Sequence, residues 1–249
     1  MQAYLTLVRR ELGGFFFSIT GYVIIAGNAL LLGLYFWYLL QALQTEPTLM
    51  PITEIVFNTY LFWFILLLAI PVITMRLFAL ERFSGTFETL MTTPVTDTQV
   101  VAAKFSAAVI FYAVMWLPML AYILIIRRFT GETGAFDYGT IGSTFFGVLL
   151  IGGLFLSLGC FASALTRSQV TAAMITTVLG VLTFLTSLLA DRVPTSDWKS
   201  QALALVDLPN HLHDFARGIV DTRPIVLCLS VTFFFLFLTL RVIESRRWK

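Results

Sequence analysis

Six stretches of about twenty apolar residues run through the chain, and this spacing limits the fold most tightly, because about twenty helical residues cross a hydrocarbon core of about 30 Å. They occupy residues 19–40, 55–80, 100–126, 141–165, 170–190 and 225–243. Lipid offers no partner to a backbone N–H or C=O, so each run must satisfy its own groups and is read as a helix. The expected fold is all-α: a polytopic membrane protein in which residues 1–249 make one transmembrane domain. Hydrophobic residues are 58% of the chain and charged residues 12%, against about 25% charged in soluble proteins. A net charge of +2, with no basic cluster interleaved with aromatics, argues against a nucleic-acid partner. Cys160 and Cys228 sit inside apolar runs and read as small hydrophobes. Pro71 and Pro118 fall within the second and third runs, where kinks are expected rather than breaks. The first run exceeds the roughly 7–15 residues of a signal-peptide core, so it is expected to remain in the mature protein.

Lys and Arg orient the spans. With both termini cytoplasmic, that side holds Arg9, Arg10, Arg76, Arg82, Lys104, Arg167, Arg241, Arg246, Arg247 and Lys249, and the other side holds Arg127, Arg128, Arg192, Lys199, Arg217 and Arg223, ten against six of the sixteen basic residues. Ahead of the first span, within residues 1–17, Tyr4, Leu5, Val8, Leu12 and Phe16 recur at helical spacing opposite Gln2, Thr6, Arg9 and Arg10, the pattern of an interfacial helix. An extension of the first span is the other reading of that segment. The extracytoplasmic segment 191–223 carries a second stripe, Leu208, Leu212, Phe215, Ala216 and Ile219, expected to form a short amphipathic helix on the outer surface. Asp207, His211, His213 and Asp214 are metal-ligating types, but His211 and His213 fall on different helix faces, so a solvated or headgroup-facing helix is the preferred reading.

One polar connector has an informative pattern: Glu81-Arg-Phe-Ser-Gly-Thr-Phe-Glu-Thr-Leu-Met-Thr-Thr-Pro94, followed by Val-Thr-Asp-Thr-Gln-Val-Val-Ala-Ala-Lys104. Phe83, Phe87, Leu90 and Met91 share one helical face, with Ser84, Glu88 and Thr92 opposite. Pro94 disfavours helix at Thr93, and Thr96 with Gln99 offers a capping box for the third span. A short amphipathic helix over part of 81–99, held between two rigid spans, suits docking on a cytosolic protein and docking on the inner leaflet equally well.

The connector closely resembles the corresponding segment of ABC-2 type transporter permeases, in which an acidic and a basic residue precede Gly-Thr, an acidic residue, a leucine-rich turn, Pro-Val/Ile and a lysine. Those places are held here by Glu81, Arg82, Gly85, Thr86, Glu88, Leu90, Pro94, Val95 and Lys104. The chain departs from the pattern at Phe87, Thr89 and Met91, where the family more often has a leucine-rich run. Ser18-Ile-Thr-Gly-Tyr-Val23, Ile70-Pro-Val-Ile-Thr-Met-Arg-Leu-Phe78, Gly142-Ser-Thr and Gly159-Cys-Phe-Ala-Ser-Ala-Leu-Thr-Arg-Ser-Gln169 are similar to the gliding-motility-associated permease subgroup. The resemblance implies a transporter of the bacterial inner (cytoplasmic) membrane with two permease subunits, a second copy or a related chain, on a dimer of ABC ATPase subunits. It implies that 81–99 is a coupling helix resting on an ATPase, with Glu81, Arg82, Phe83, Gly85, Thr86, Phe87, Glu88, Leu90 and Pro94 in or around the contact. It further implies a companion membrane protein with a large extracytoplasmic domain. No Gly-x-x-x-x-Gly-Lys-Ser/Thr loop occurs in these residues, so ATP and Mg belong to the partner and no cofactor is assigned to this chain.

Three other readings compete. An ion-coupled transporter usually keeps a charged group near mid-membrane, and Asn28 is the most polar central side chain of the first span, where an amide more often bonds a neighbouring helix. An intramembrane enzyme needs a nucleophile with a base, or metal ligands, at matched depth, and both histidines lie in 191–223. A mechanotransmitter that works an extracytoplasmic partner without moving substrate shares the fold. Gly153/Ser157 and Gly159/Ser163 in the fourth span are small-xxx-small pairs, expected to serve packing within the chain.

Overall fold

A computed structural model describes residues 2–45, 52–57, 61–86, 95–130, 138–190 and 206–247. Among these the regular elements are all helices: α1 Gln2–Phe16, α2 Ile19–Thr45, α3 Ile52–Phe57, α4 Leu61–Thr74, α5 Ala79–Phe83, α6 Asp97–Thr130, α7 Tyr138–Leu165, α8 Gln169–Ala190, α9 Leu208–Ala216 and α10 Thr222–Arg247. Six segments of the described residues are long and apolar enough to cross a membrane: Ile19–Gln41, Leu61–Phe83, Asp97–Ile125, Tyr138–Leu165, Gln169–Thr186 and Thr222–Ser245. These are the expected spans with shifted ends, and the protein is an all-α, multi-pass membrane protein.

The fourth span is the centre of the packing. Its most apolar window is 67% buried, whereas those of the first, fifth and sixth spans are 17% buried and turn most of their apolar surface outward. Helix α7 packs against α10, α8, α9, α6 and α4. Its small residues set how close α4 comes: a Cβ on Gly159 would lie 2.3 Å from Thr74 Oγ1, while one on Gly153 would meet nothing within 4 Å. Of the two small-residue pairs, Gly159/Ser163 therefore serves close packing within the chain, and the glycine of Gly153/Ser157 faces open space among the described residues. Asn28 bonds a neighbouring helix, its Nδ2 donating to the Met115 carbonyl at 2.6 Å. Both prolines lie inside continuous helices, Pro71 in α4 and Pro118 in α6.

The second span differs from its expected single run over 55–80. Its described part breaks at a turn at 75–78, between α4 and α5, while residues 58–60, between α3 and α4, lie outside the described region. The turn is stabilised from outside the segment, because the Phe78 and Ala79 N–H groups both donate to Ser163 Oγ of α7, at 3.1 Å each. A side chain of another helix thus caps donors that would otherwise be orphaned at the start of α5.

Helix α1 is separate from α2, with Ser18 at the break, where its Oγ accepts the Gly21 N–H at 3.1 Å. The covered face of α1 is rotated from the expected one. Leu7, Leu12 and Phe16 pack on the core and Phe15 is buried, whereas Leu5 is 62% exposed. Phe15 stacks on Phe111 at 4.9 Å, and the Tyr4 hydroxyl donates to Ser106 Oγ at 2.8 Å. The rotation brings Glu11 inward, where a cation waits.

At the opposite end of the bundle α9 forms the expected amphipathic helix, but its stripe is covered by protein: Leu208, Leu212, Phe215 and Ala216 are buried, mainly against α7. Ile219 lies beyond the last turn and is 56% exposed, which removes it from the stripe. Asp207 caps the helix, accepting the Asn210 N–H at 3.3 Å. The carbonyls at its far end are also taken: Thr53 donates to Ala216 O at 2.7 Å and Ser143 to Phe215 O at 2.8 Å. Arg217 donates to the buried Glu54 through Nε and Nη2 at 2.9 and 2.6 Å, and these bonds and the carboxylate charge hold the guanidinium pKa above its ordinary value.

Candidate coupling site

Residues 78–86 and 95–104 flank the connector singled out in the sequence, and they lie at the end of the bundle that carries α1. Phe87, Glu88, Leu90 and Pro94 fall outside the described residues, together with Thr89 and Met91. What is described is the base on which that segment stands.

On one side the base is fixed to α7. Besides the Ser163 bonds, Arg82 Nη1 donates to the Ala164 carbonyl, placing a cation at the C-terminal end of α7, where the helix dipole is negative. After α5 the chain stops sharply. Ser84 N–H bonds back to Leu80 O at 3.0 Å, and Ser84 Oγ lies 2.8 Å from Thr86 Oγ1 and donates to Glu81 O at 3.2 Å. Gly85 then takes φ +73° with nothing within 4 Å of the position of a Cβ. Its backbone conformation, rather than close approach to any described residue, is what calls for glycine. Phe83 is 77% exposed at this corner. On the far side of the connector the expected capping box is present: Thr96 N–H donates to Gln99 Oε1, and Gln99 N–H to Thr96 Oγ1, each at 3.3 Å. It sets the start of α6 at Asp97, an acidic residue suited to a helix N-terminus.

On its other side the base is fixed by charge. Lys104 Nζ lies 2.9 Å from Glu81 Oε1 and 3.1 Å from Glu11 Oε1. Arg10 Nη2 closes the group, 2.8 Å from Glu11 Oε1 and 2.9 Å from Glu81 Oε1. The Lys104 side chain is 2% exposed and both carboxylates are 15% exposed, while Arg10 is 51% exposed. Two cations and two anions balance, and the buried Lys104 has a carboxylate on either side. Lys104 Nζ also sits 5.5 Å from the centre of the Phe78 ring. Burial acts to lower the Arg10 pKa, but hydrogen bonds and charge, first from Glu11 and then from Glu81, outweigh it and leave the group above its ordinary value. The cluster joins α1, α5 and α6.

The sequence picked Glu81, Arg82, Phe83, Gly85 and Thr86 as contact residues. The structure spreads them over two faces: Glu81 and Arg82 turn into the protein, while Phe83, Gly85 and Thr86 are exposed. Glu11 and Ser163 were missed. A carboxylate on the apolar side of an amphipathic helix was the available signal for Glu11, because such a group requires a buried cation and Lys104 opens the third span.

The segments that carried the resemblance meet at helix junctions. Arg76 donates to Thr20, joining the second span to the motif that opens the first. Gly159 and Ser163 receive Thr74 and the turn before α5, and Ser143 and Thr144 receive the end of α9. A family model, described as ABC-2 family transporter protein, matches residues 12–242. The chain belongs to the ABC-2 transporter family. No curated protein matches it at a significant level. The ABC-2 assignment makes it a transmembrane subunit of an ABC transporter and a transport component rather than an enzyme, from a family that generally works with an ABC ATPase partner. The matched residues run from α1, just beyond Glu11, to the last turns of α10, so the candidate site lies almost wholly within the family domain.

Proposed function

We propose that this ABC-2 subunit takes its energy from ATP hydrolysis in a separate ABC ATPase, received through residues 81–99 on the cytoplasmic face of a bacterial inner membrane, and converts it into export or movement of a substrate. The observation that carries the reading is the architecture of the base. The connector emerges between α5, bonded to α7 through Ser163 and Arg82, and α6, started by the Thr96/Gln99 box. A segment held so firmly at both ends passes a push to the second, third and fourth spans instead of absorbing it. Phe83 stands exposed at its edge, available for an apolar groove, and Phe87 and Leu90 continue the same sequence face. ATP and Mg would be bound by the partner, since these residues contain no phosphate loop.

The experiment is co-purification through a tag on this chain, with Phe83→Asp and Phe87→Asp beside the wild type. The expected result is a co-purifying ATPase whose association or coupled activity is lost in both variants while membrane insertion is retained. Wild-type complex formation and ATP-dependent activity in both variants would refute the assignment.

A second reading has the same coupling but no substrate: the chain drives a companion with an extracytoplasmic domain, as the gliding-motility resemblance suggests. The fastening of α9 to α3 and α7 favours it, because motion of α7 would reach the outer face through a helix tied at several points. Detection of such a companion in the purified complex would support this reading, and ATP-dependent transport by the complex without it would refute it.

A further inference from the structure

We propose that Lys104 is a positioning residue that locks the N-terminal helix α1 to the base of the coupling segment, so that the two travel as one lever when the segment is pushed. The inference rests on the coupling reading above and adds to it a part of the chain that no motif had placed. Three observations support it. First, Lys104 is gripped from two different helices, by Glu11 of α1 at 3.1 Å and by Glu81 of α5 at 2.9 Å, while it belongs to a third, α6. Second, Arg10 repeats the link from the other direction, since one nitrogen touches both carboxylates, at 2.8 and 2.9 Å. Third, the lysine is almost fully buried, so parting α1 from α6 would take Glu11 from an ammonium that water barely reaches. Apolar contact alone would let α1 slide along α6, because such contact has no direction. The charges remove that freedom.

The arrangement gives α1 a task beyond resting on lipid. An amphipathic helix that must move with the coupling segment drags its exposed face, including Leu5, along the membrane surface. Conversely, it steadies the segment against tilting. In the double variant Arg10→Gln/Glu11→Gln both charged links from α1 are removed with the shapes and the net charge kept, so α1 is released while the Glu81–Lys104 link remains.

The test is a pair of spin-label distances in the complex of this chain with its co-purified ATPase, compared without nucleotide and with Mg-ATP and vanadate. Labels go on Thr6, Ser84 and Ser245, all exposed, in a background with Cys160 and Cys228 changed to alanine. In the wild type the Ser84–Ser245 distance is expected to shift by about 2 Å or more with nucleotide, the scale of helix displacements in switching proteins, while Thr6–Ser84 stays fixed. In Arg10→Gln/Glu11→Gln the Thr6–Ser84 distance should become nucleotide-dependent. Arg10→Gln alone, which leaves Glu11 on Lys104, Lys104→Arg, which keeps the cation, and Tyr4→Phe, which leaves the charges untouched, should behave as wild type. A Thr6–Ser84 distance that changes in the wild type, or stays fixed in Arg10→Gln/Glu11→Gln, would overturn the lock and leave the coupling reading standing. A Ser84–Ser245 distance indifferent to nucleotide in the wild type would overturn both.

Discussion

Replacing Lys104 with methionine keeps the length and most of the apolar stem of the side chain and removes the one buried cation of the cluster. Two carboxylates then share Arg10, which is 51% exposed and screened by solvent. Breaking a buried ion pair by removing one partner costs about 3–5 kcal/mol, and the 15% exposure of both carboxylates favours the lower end. The Arg10 contacts offset little, since exposed pairs contribute about 0–1 kcal/mol. On the scale of about 2–4 °C per kcal/mol for a chain of this size, a loss of about 3 kcal/mol lowers the unfolding midpoint by about 6–12 °C. Cys160 and Cys228 are free and buried, so a thiol-reactive fluorophore added to detergent-solubilised protein reports unfolding directly. The triple variant Glu11→Gln, Glu81→Gln, Lys104→Met has no stranded charge and should regain most of the loss. A midpoint within about 2 °C of wild type for Lys104→Met would show that the cluster is too wet to matter. A triple variant as unstable as the single one would show that packing, and not charge, is what Lys104 supplies.

Three further outcomes follow from the same geometry. Gly159→Ala should destabilise by about 1–3 kcal/mol, because its methyl would overlap Thr74, whereas Gly153→Ala should be near neutral in the same thiol assay. Gly85→Ala, at φ +73°, should cost about 1 kcal/mol in local stability, read as faster proteolysis at the connector, while Ser84→Ala should change less. Asn28→Leu should lower stability by about 0.6–2 kcal/mol through loss of the bond to Met115, and unchanged ATP-dependent activity in the assembled complex would exclude an ion-binding role for Asn28.

The spans could be read from the sequence because lipid permits so few backbone solutions that length and apolarity nearly decide them. The Thr96/Gln99 box was equally legible, since a capping box is built from residues three apart and needs no tertiary information. Long-range partners were not. Ser163 looked like one half of a small-residue packing pair, yet it also caps a helix more than eighty residues earlier in the chain. Helix α9 showed its stripe but not what covers it, because lipid, headgroups and protein reward the same apolar spacing. The rotation of α1 was missed for a related reason: the expected face counted apolar side chains only, and the inward turn is set by Glu11 seeking Lys104. Leu5 consequently lies outside the covered face.

The measurement closest to the central claim is photocrosslinking in native membranes from a benzophenone amino acid in place of Phe83, a residue that is 77% exposed. The account predicts a crosslinked product containing an ABC ATPase chain, strong in the wild-type background and lost when Phe87→Asp is added. A probe that labels only phospholipid, with no protein product in membranes where the complex is intact, would contradict it.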